Sequence, residues 1–156
     1  MKLKQEIIKI AQGARKASTQ LANLPASVKN KALLAMAKAL VSGGKSIISA
    51  NKKDAEIARS RGASKAFIDR LIVDRKKLNA MAQCLKELAR LPEPVGEAIS
   101  QWSRPSGILI KKVRVPLGVL LIIYESRPDV TSDCMGLCLK SGNAVILRGG
   151  KEALRT

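Results

Sequence analysis

The chain has 156 residues, enough for one domain, and domains of this size bury roughly 68–70% of their unfolded surface. Apolar residues make up 46% of it, with a single Phe, a single Tyr and a single Trp, so the core must be aliphatic. The formal charge of +17 comes from Lys and Arg scattered from Lys2 to Arg155. Without aromatic platforms for base stacking, this reads as solvated surface rather than a nucleic-acid site.

Three cysteines without any histidine argue against both a disulfide framework and a zinc site. Glu6 and Lys9 interrupt the apolar start, so no signal peptide is read. The uncharged run Val115 to Tyr124 is too short to span a bilayer, and a soluble, cytoplasmic protein is expected.

Taken in order, Gln5 to Leu21 places Ile7, Ile10, Ala11, Ala14, Ala17 and Leu21 at helical spacing. Pro25 follows, and Ser27 is the expected N-cap of a helix Val28 to Val41 that stops at Gly43-Gly44. Ser46 is expected to cap a third helix running to Arg59, which Gly62 ends. Ser64 starts a short fourth helix holding Phe67, Ile68, Leu71 and Ile72. Asp74 caps a fifth, with Leu78, Met81, Ala82, Leu85 and Leu88 on one stripe. From Glu97 to Val115 apolar and polar residues interleave around the turn Pro105-Ser106-Gly107, the pattern of a β-hairpin.

The stretch Val115 to Ala153 holds two apolar runs, Val115 to Tyr124 and Ala144 to Leu147, on either side of a helical segment. That is a βαβ pattern, with parallel strands expected to be buried on both faces. The predicted organisation is a helical layer at 1–96, a hairpin arm at 97–114 and an incomplete βαβ unit at 115–156. The fold class is α/β, and the strand–helix alternation suggests the N-terminal portion of a larger fold.

Ligands of open α/β sheets bind beyond the carboxyl ends of the strands, which here carry Glu125-Ser126-Arg127-Pro128 and Arg148-Gly149-Gly150. Pro128 forces Arg127 toward extended geometry, where its guanidinium can hold a phosphate or a developing oxyanion, unless Glu125 pairs with it. Gly149-Gly150, ahead of a helix expected near Lys151, lets backbone N–H groups approach an anion; a plain tight turn is the competing reading. Asp129 or Thr131 would cap the helix after Pro128.

Gly43-Gly44-Lys45-Ser46 lacks the earlier glycine of a phosphate loop, because Ala39 stands there. Cys134 and Cys138 fall mid-helix with no His to activate them, so no catalytic nucleophile is assigned.

Three blocks, Val113-Arg114-Val115-Pro116-Leu117-Gly118-Val119, Ile123-Tyr124-Glu125-Ser126-Arg127-Pro128 and Leu137 to Gly150, resemble the γ-glutamyl phosphate reductase family of the aldehyde dehydrogenase superfamily. Ala50-Asn51 with Asp54, Ile68-Asp69-Arg70-Leu71 and Pro94-Val95-Gly96-Glu97 are similar as well. The resemblance implies NADPH-dependent reduction of L-glutamate 5-phosphate to the semialdehyde in proline biosynthesis, with glutamate 5-kinase as a partner. It also implies a Rossmann-like cofactor domain and a hairpin used for homo-oligomerisation.

By the same resemblance, Arg148 takes the place of a basic residue at the adenosine ribose. Glu125, Ser126 and Arg127 line the nicotinamide region, and the catalytic cysteine lies beyond the part of the family this chain matches. The expectation is therefore a truncated reductase that binds NADP(H) at Glu125, Ser126, Arg148, Gly149 and Gly150 but does not catalyse. The alternatives are a binding or scaffold remnant and nonspecific polyanion binding.

Overall fold

The computed structural model describes residues 2–156. Five helices come first: α1 (Lys2–Leu21), α2 (Ala26–Ser42), α3 (Gly44–Ser60), α4 (Lys65–Leu71) and α5 (Arg75–Arg90). An antiparallel hairpin, β1 (Ala98–Ser103) and β2 (Leu109–Val113), follows. The last part is β3 (Val119–Ile123), α6 (Pro128–Lys140), β4 (Ala144–Arg148) and a 3-10 turn at Lys151–Ala153. The chain is mixed α/β, rich in helix, with two two-stranded sheets among the described residues.

Packing is aliphatic, as the composition requires. Leu33 and Ala37 of α2 interlock with Ala82, Leu85, Leu88 and Ala89 of α5. Ala55 and Ala58 of α3 meet Ile68 and Leu71 of α4, and Ala153 packs on that cluster from the far end of the chain. Helix α6 lies on α5 at Gly136, where a Cβ would stand 2.6 Å from Leu85 and 2.9 Å from Leu88. Only glycine permits that approach, since overpacking a filled core is destabilising.

Helix ends follow the expected chemistry in part. Asp74 accepts from the Lys77 amide at 2.6 Å and Ser64 from the Phe67 amide at 3.3 Å. Both α3 and α6 close in Schellman turns. The amides of Ala63 and Asn143 reach back to the Ala58 and Cys138 carbonyls, and Gly62 and Gly142 take φ of 76° and 71°.

Two expected caps are corrected. α2 begins at Ala26 behind Pro25, so Ser27 lies inside it, and α3 begins at Gly44, so the Ser46 hydroxyl donates to the Gly43 carbonyl instead of capping. Pro25 already fixes an extended entry to α2, and α3 starts directly from the Gly43 junction. Neither start needs a side-chain acceptor.

The hairpin turns at Pro105-Ser106-Gly107 as predicted, with Gly107 at φ 83°. Ile99, Trp102 and Leu109 are exposed on it, and of its two strands' residues Ile110 alone is half-buried.

The parallel pair departs from expectation. β3 starts at Val119, not Val115, and Leu121 and Ile123 are 61% and 67% exposed, so these strands are not buried on both faces. α6 covers one face. On the other, α1 meets β4 through small residues, Gly13, Ala14 and Ala17, and covers it only partly.

A charged knot ties these parts together. The Lys29 ammonium, at the start of α2 and 1% exposed, bonds Glu93 in the linker after α5. Buried Lys140, at the end of α6, donates to Asn30 Oδ1 and to the Leu91 carbonyl, each at 2.7 Å. Burial by itself would raise the Glu93 carboxyl. The Lys29 hydrogen bond, the Val95 amide and the charges of Lys29 and Lys140 outweigh it and hold the group below its ordinary range.

A carboxylate lowered on folding contributes stability above its unfolded pKa and loses it as pH falls through the folded one. Glu93→Gln should therefore destabilise the chain at pH 7 by about 3 kcal/mol, because it strands a buried ammonium. The gap from wild type should shrink as pH drops below the usual carboxylate range. Denaturant unfolding at pH 7 and pH 3.5 checks this, and a gap that widens in acid contradicts it.

Candidate functional site

Parallel pairing brings the two carboxyl ends of β3 and β4 side by side, and the register is pinned at the opposite end. Asn143 Oδ1 accepts from the Gly118 amide at 2.8 Å, and the Ala144 amide donates to the Gly118 carbonyl at 2.9 Å. That pairs Val119 with Ala144 and, four residues on, Ile123 with Arg148. The Tyr124 amide donates to the Arg148 carbonyl, so the turns after both strands start level.

Those turns open onto a cleft of about 420 Å³, within the range of small-ligand sites, about 300–1,000 Å³. Tyr124, Glu125, Ser126, Arg127, Gly149 and Gly150 line one side, and Leu40, Ile47, Val73, Met81 and Met135 supply an apolar floor. The structure thus brings together five of the six residues read from sequence. The sixth, Arg148, is exposed at the strand end and does not line the cleft.

Three local expectations change. Glu125 does not pair with Arg127; its carboxylate meets Arg70 at 3.5 Å, because the docked α4 brings that guanidinium within reach. No helix begins near Lys151, where a three-residue 3-10 turn forms. Nor do Asp129 and Thr131 cap α6, which starts at Pro128 without a side-chain cap. Thr131 instead shares a 2.6 Å hydrogen bond with the Tyr124 hydroxyl. That fixes the Tyr124 ring beside Gly149, where a Cβ would lie 3.4 Å from it.

The glycine corner has a steric reason. Buried Ser126 donates to Glu152 Oε2 at 2.6 Å, joining the two turns, and this bond holds the Glu152 carboxyl below its ordinary range. A Cβ on Gly150 would sit 2.0 Å from Ser126 Oγ. Gly150 therefore serves the close approach of the two turns, whereas a Cβ on Gly149 would make only ordinary contact with Tyr124. Arg127 remains exposed at the mouth of the cleft.

The thiols lie elsewhere. Cys84 is on α5, and Cys134 and Cys138 are on α6, beside the groove under β3. Burial raises all three, helped by Asp133 at Cys84 and Cys134 and by Cys134 at Cys138. Raised thiols are poor nucleophiles at neutral pH. Among the described residues no three His, Cys, Asp or Glu side chains group as a metal would require.

Sequence reasoning missed the part played by Asn51 and Asp54. They are polar side chains on the buried face of α3, 2% and 3% exposed, and they bond the end of the segment after β4, which lines the cleft. Their signal was available: two polar residues three apart, flanking the buried Ala55 and Ala58 stripe.

Gly150→Ala is expected to lower stability by about 1–3 kcal/mol through this clash. Ser126→Ala in the same chain should recover part of the loss, since it removes the nearest atom. Denaturant unfolding of the single and double variants checks this, and strictly additive losses contradict the proposed contact.

No family model matches the chain. Among curated proteins it is 51% identical over 156 residues to the γ-glutamyl phosphate reductase of Halothermothrix orenii, covering 100% of this chain and 37% of the relative. It is 53% identical over 153 residues to that of Moorella thermoacetica, covering 98% and 37%. The crystal structure of γ-glutamyl phosphate reductase from Thermotoga maritima superposes with a TM-score of 0.93 at 42% identity, over 96% of this chain and 36% of that one. The Saccharomyces cerevisiae enzyme gives 0.91 at 36% identity, over 94% and 38%. The chain spans about 37% of the length of the curated relatives it matches. Along that whole span, in sequence and in fold, it is similar to the N-terminal part of γ-glutamyl phosphate reductase.

Proposed function

We propose that this chain carries part of the cofactor-binding region of a γ-glutamyl phosphate reductase, an NADPH-dependent enzyme of the aldehyde dehydrogenase superfamily acting on L-glutamate 5-phosphate in the cytoplasmic synthesis of proline. The observation that carries the reading is the cleft at the carboxyl ends of β3 and β4, with Arg127 at its mouth and Gly149-Gly150 in its wall. It sits in a chain similar along its length to the reductases.

The residues present fit a phosphate-bearing, partly flat ligand. The floor is apolar, Arg127 offers a forked donor for anionic oxygens, and Gly149 and Gly150 form part of the wall. Ser126 shapes the cleft through Glu152 rather than reaching out of it. Arg148, exposed at the end of β4 outside the cleft, keeps in this reading the role of a contact to the adenosine ribose. When bound, the cofactor supplies a hydride. This chain's residues bind and orient; its three raised thiols sit away from the cleft and do not serve as the nucleophile of acyl transfer.

Calorimetric titration with NADP+ tests this. Measurable binding is expected, weakened about tenfold or more by Arg127→Ala, the usual loss for a charged hydrogen bond, and little changed by Arg104→Ala in the hairpin turn. Absence of binding at millimolar NADP+ removes the reading for this chain.

The hairpin supports a second element, pairing with a further copy of the chain. Its Ile99, Trp102, Ile108 and Leu109 are exposed, and an isolated two-stranded hairpin is only marginally stable in water. Sedimentation should show self-association that Trp102→Ser weakens several-fold; a concentration-independent monomer contradicts it.

A further inference from the structure

Asp54 is 3% exposed, and every partner the structure gives its carboxylate lies in the last two residues. Oδ2 accepts from the Arg155 amide at 3.0 Å, the Thr156 amide at 3.0 Å and the Thr156 hydroxyl at 2.9 Å. Oδ1 faces the Arg155 guanidinium at 3.3 Å. A carboxylate taking two consecutive backbone amides does the work of a helix N-cap, here reached from a different part of the chain.

Asn51, one turn earlier on the same face of α3, completes the arrangement. Its Nδ2 donates to the Leu71 carbonyl at 2.9 Å and to the Thr156 hydroxyl at 3.2 Å, and its Oδ1 accepts from the Val73 amide at 2.7 Å. The Thr156 hydroxyl is shared, donating to Asp54 and accepting from Asn51.

These bonds act on the cleft through the chain. Val73, Ala153, Leu154 and Thr156 all line it. The segment from Gly150 to Thr156 is fastened at one end by Ser126 to Glu152 and at the other by Asp54. The Ala153 methyl between them is seated on the α3–α4 cluster.

We propose that Asn51 and Asp54 are positioning residues for the cleft: a buried latch on α3 that fixes the segment after β4 and, through it, the Gly149-Gly150 corner. The latch is a property of the apo chain and stands apart from the nucleotide reading.

Amide hydrogen exchange followed by NMR on the full chain tests it without any ligand. In Asp54→Ala, exchange at Ala153, Arg155 and Thr156 should rise about tenfold or more, as loss of charged hydrogen bonds predicts. The Gly150 and Arg127 amide resonances should shift, while Leu85 and Leu88 in the α2–α5 seam keep their protection. Asp54→Asn, which retains one acceptor oxygen, should recover part of the effect.

Thr156→Val removes only the shared hydroxyl and should raise exchange about threefold at the same positions; it decides the matter if Asp54→Ala does not fold. Unmoved Gly150 and Arg127 resonances, or an equal loss of protection across every helix, would overturn the proposal. Failure of NADP+ to bind wild type would leave these readouts, and the latch, unaffected.

Discussion

The parallel pairing of β3 with β4 is the constraint on which the candidate site depends, and a single side chain sets its register. Asn143 closes a Schellman turn with its own amide and binds the Gly118 amide with its side-chain carbonyl. A slip of one residue would move every strand side chain to the other face and would put the Tyr124 and Gly149 turns out of step. The glycines here have defined work. Gly142 takes the left-handed conformation that ends α6, and Gly118, at φ 110°, delivers its amide to Asn143.

The rest of the molecule holds this pair from the side. Helix α6 presses against α5 through Gly136, and the Lys29–Glu93 and Lys140 contacts join the start of α2, the linker after α5 and the end of α6. Buried charges are expensive unless paired, so this knot specifies one arrangement of the helical layer against the βαβ unit. Arg70 to Glu125 and Lys77 to Asp129 add ion pairs between the α4–α5 region and the mouth of the cleft. Such exposed or half-exposed pairs are worth little individually; their role is orientation.

Much of this was legible in the sequence, for reasons that differ by residue. Asp74 and Ser64 cap because a short polar side chain ahead of an apolar stripe has a local partner three residues on. Ser27 and Ser46 have the same composition, yet Pro25 and Gly43 had already decided where α2 and α3 begin. The cleft was predictable because the carboxyl ends of parallel strands must meet. The Glu125–Arg70 pair was not, since Arg70 and Glu125 become neighbours only once α4 is docked. Asn51 and Asp54 were visible as similar residues, but the partners of Asp54, and one of those of Asn51, lie about a hundred positions away.

By itself the sequence determined the order of the helices, the hairpin and the βαβ unit, because those follow from periodicity, glycine and proline within a few residues. It also determined that the core is aliphatic, and it singled out Arg127 and Gly149-Gly150 as candidates for a site. Tertiary structure alone decided which side chains face one another: that Gly150 is held close by Ser126, that Arg148 stands outside the cleft, and that β3 keeps an exposed face. Local propensity is set by neighbours along the chain, whereas contact and burial depend on residues far apart in sequence, and only the folded arrangement supplies those.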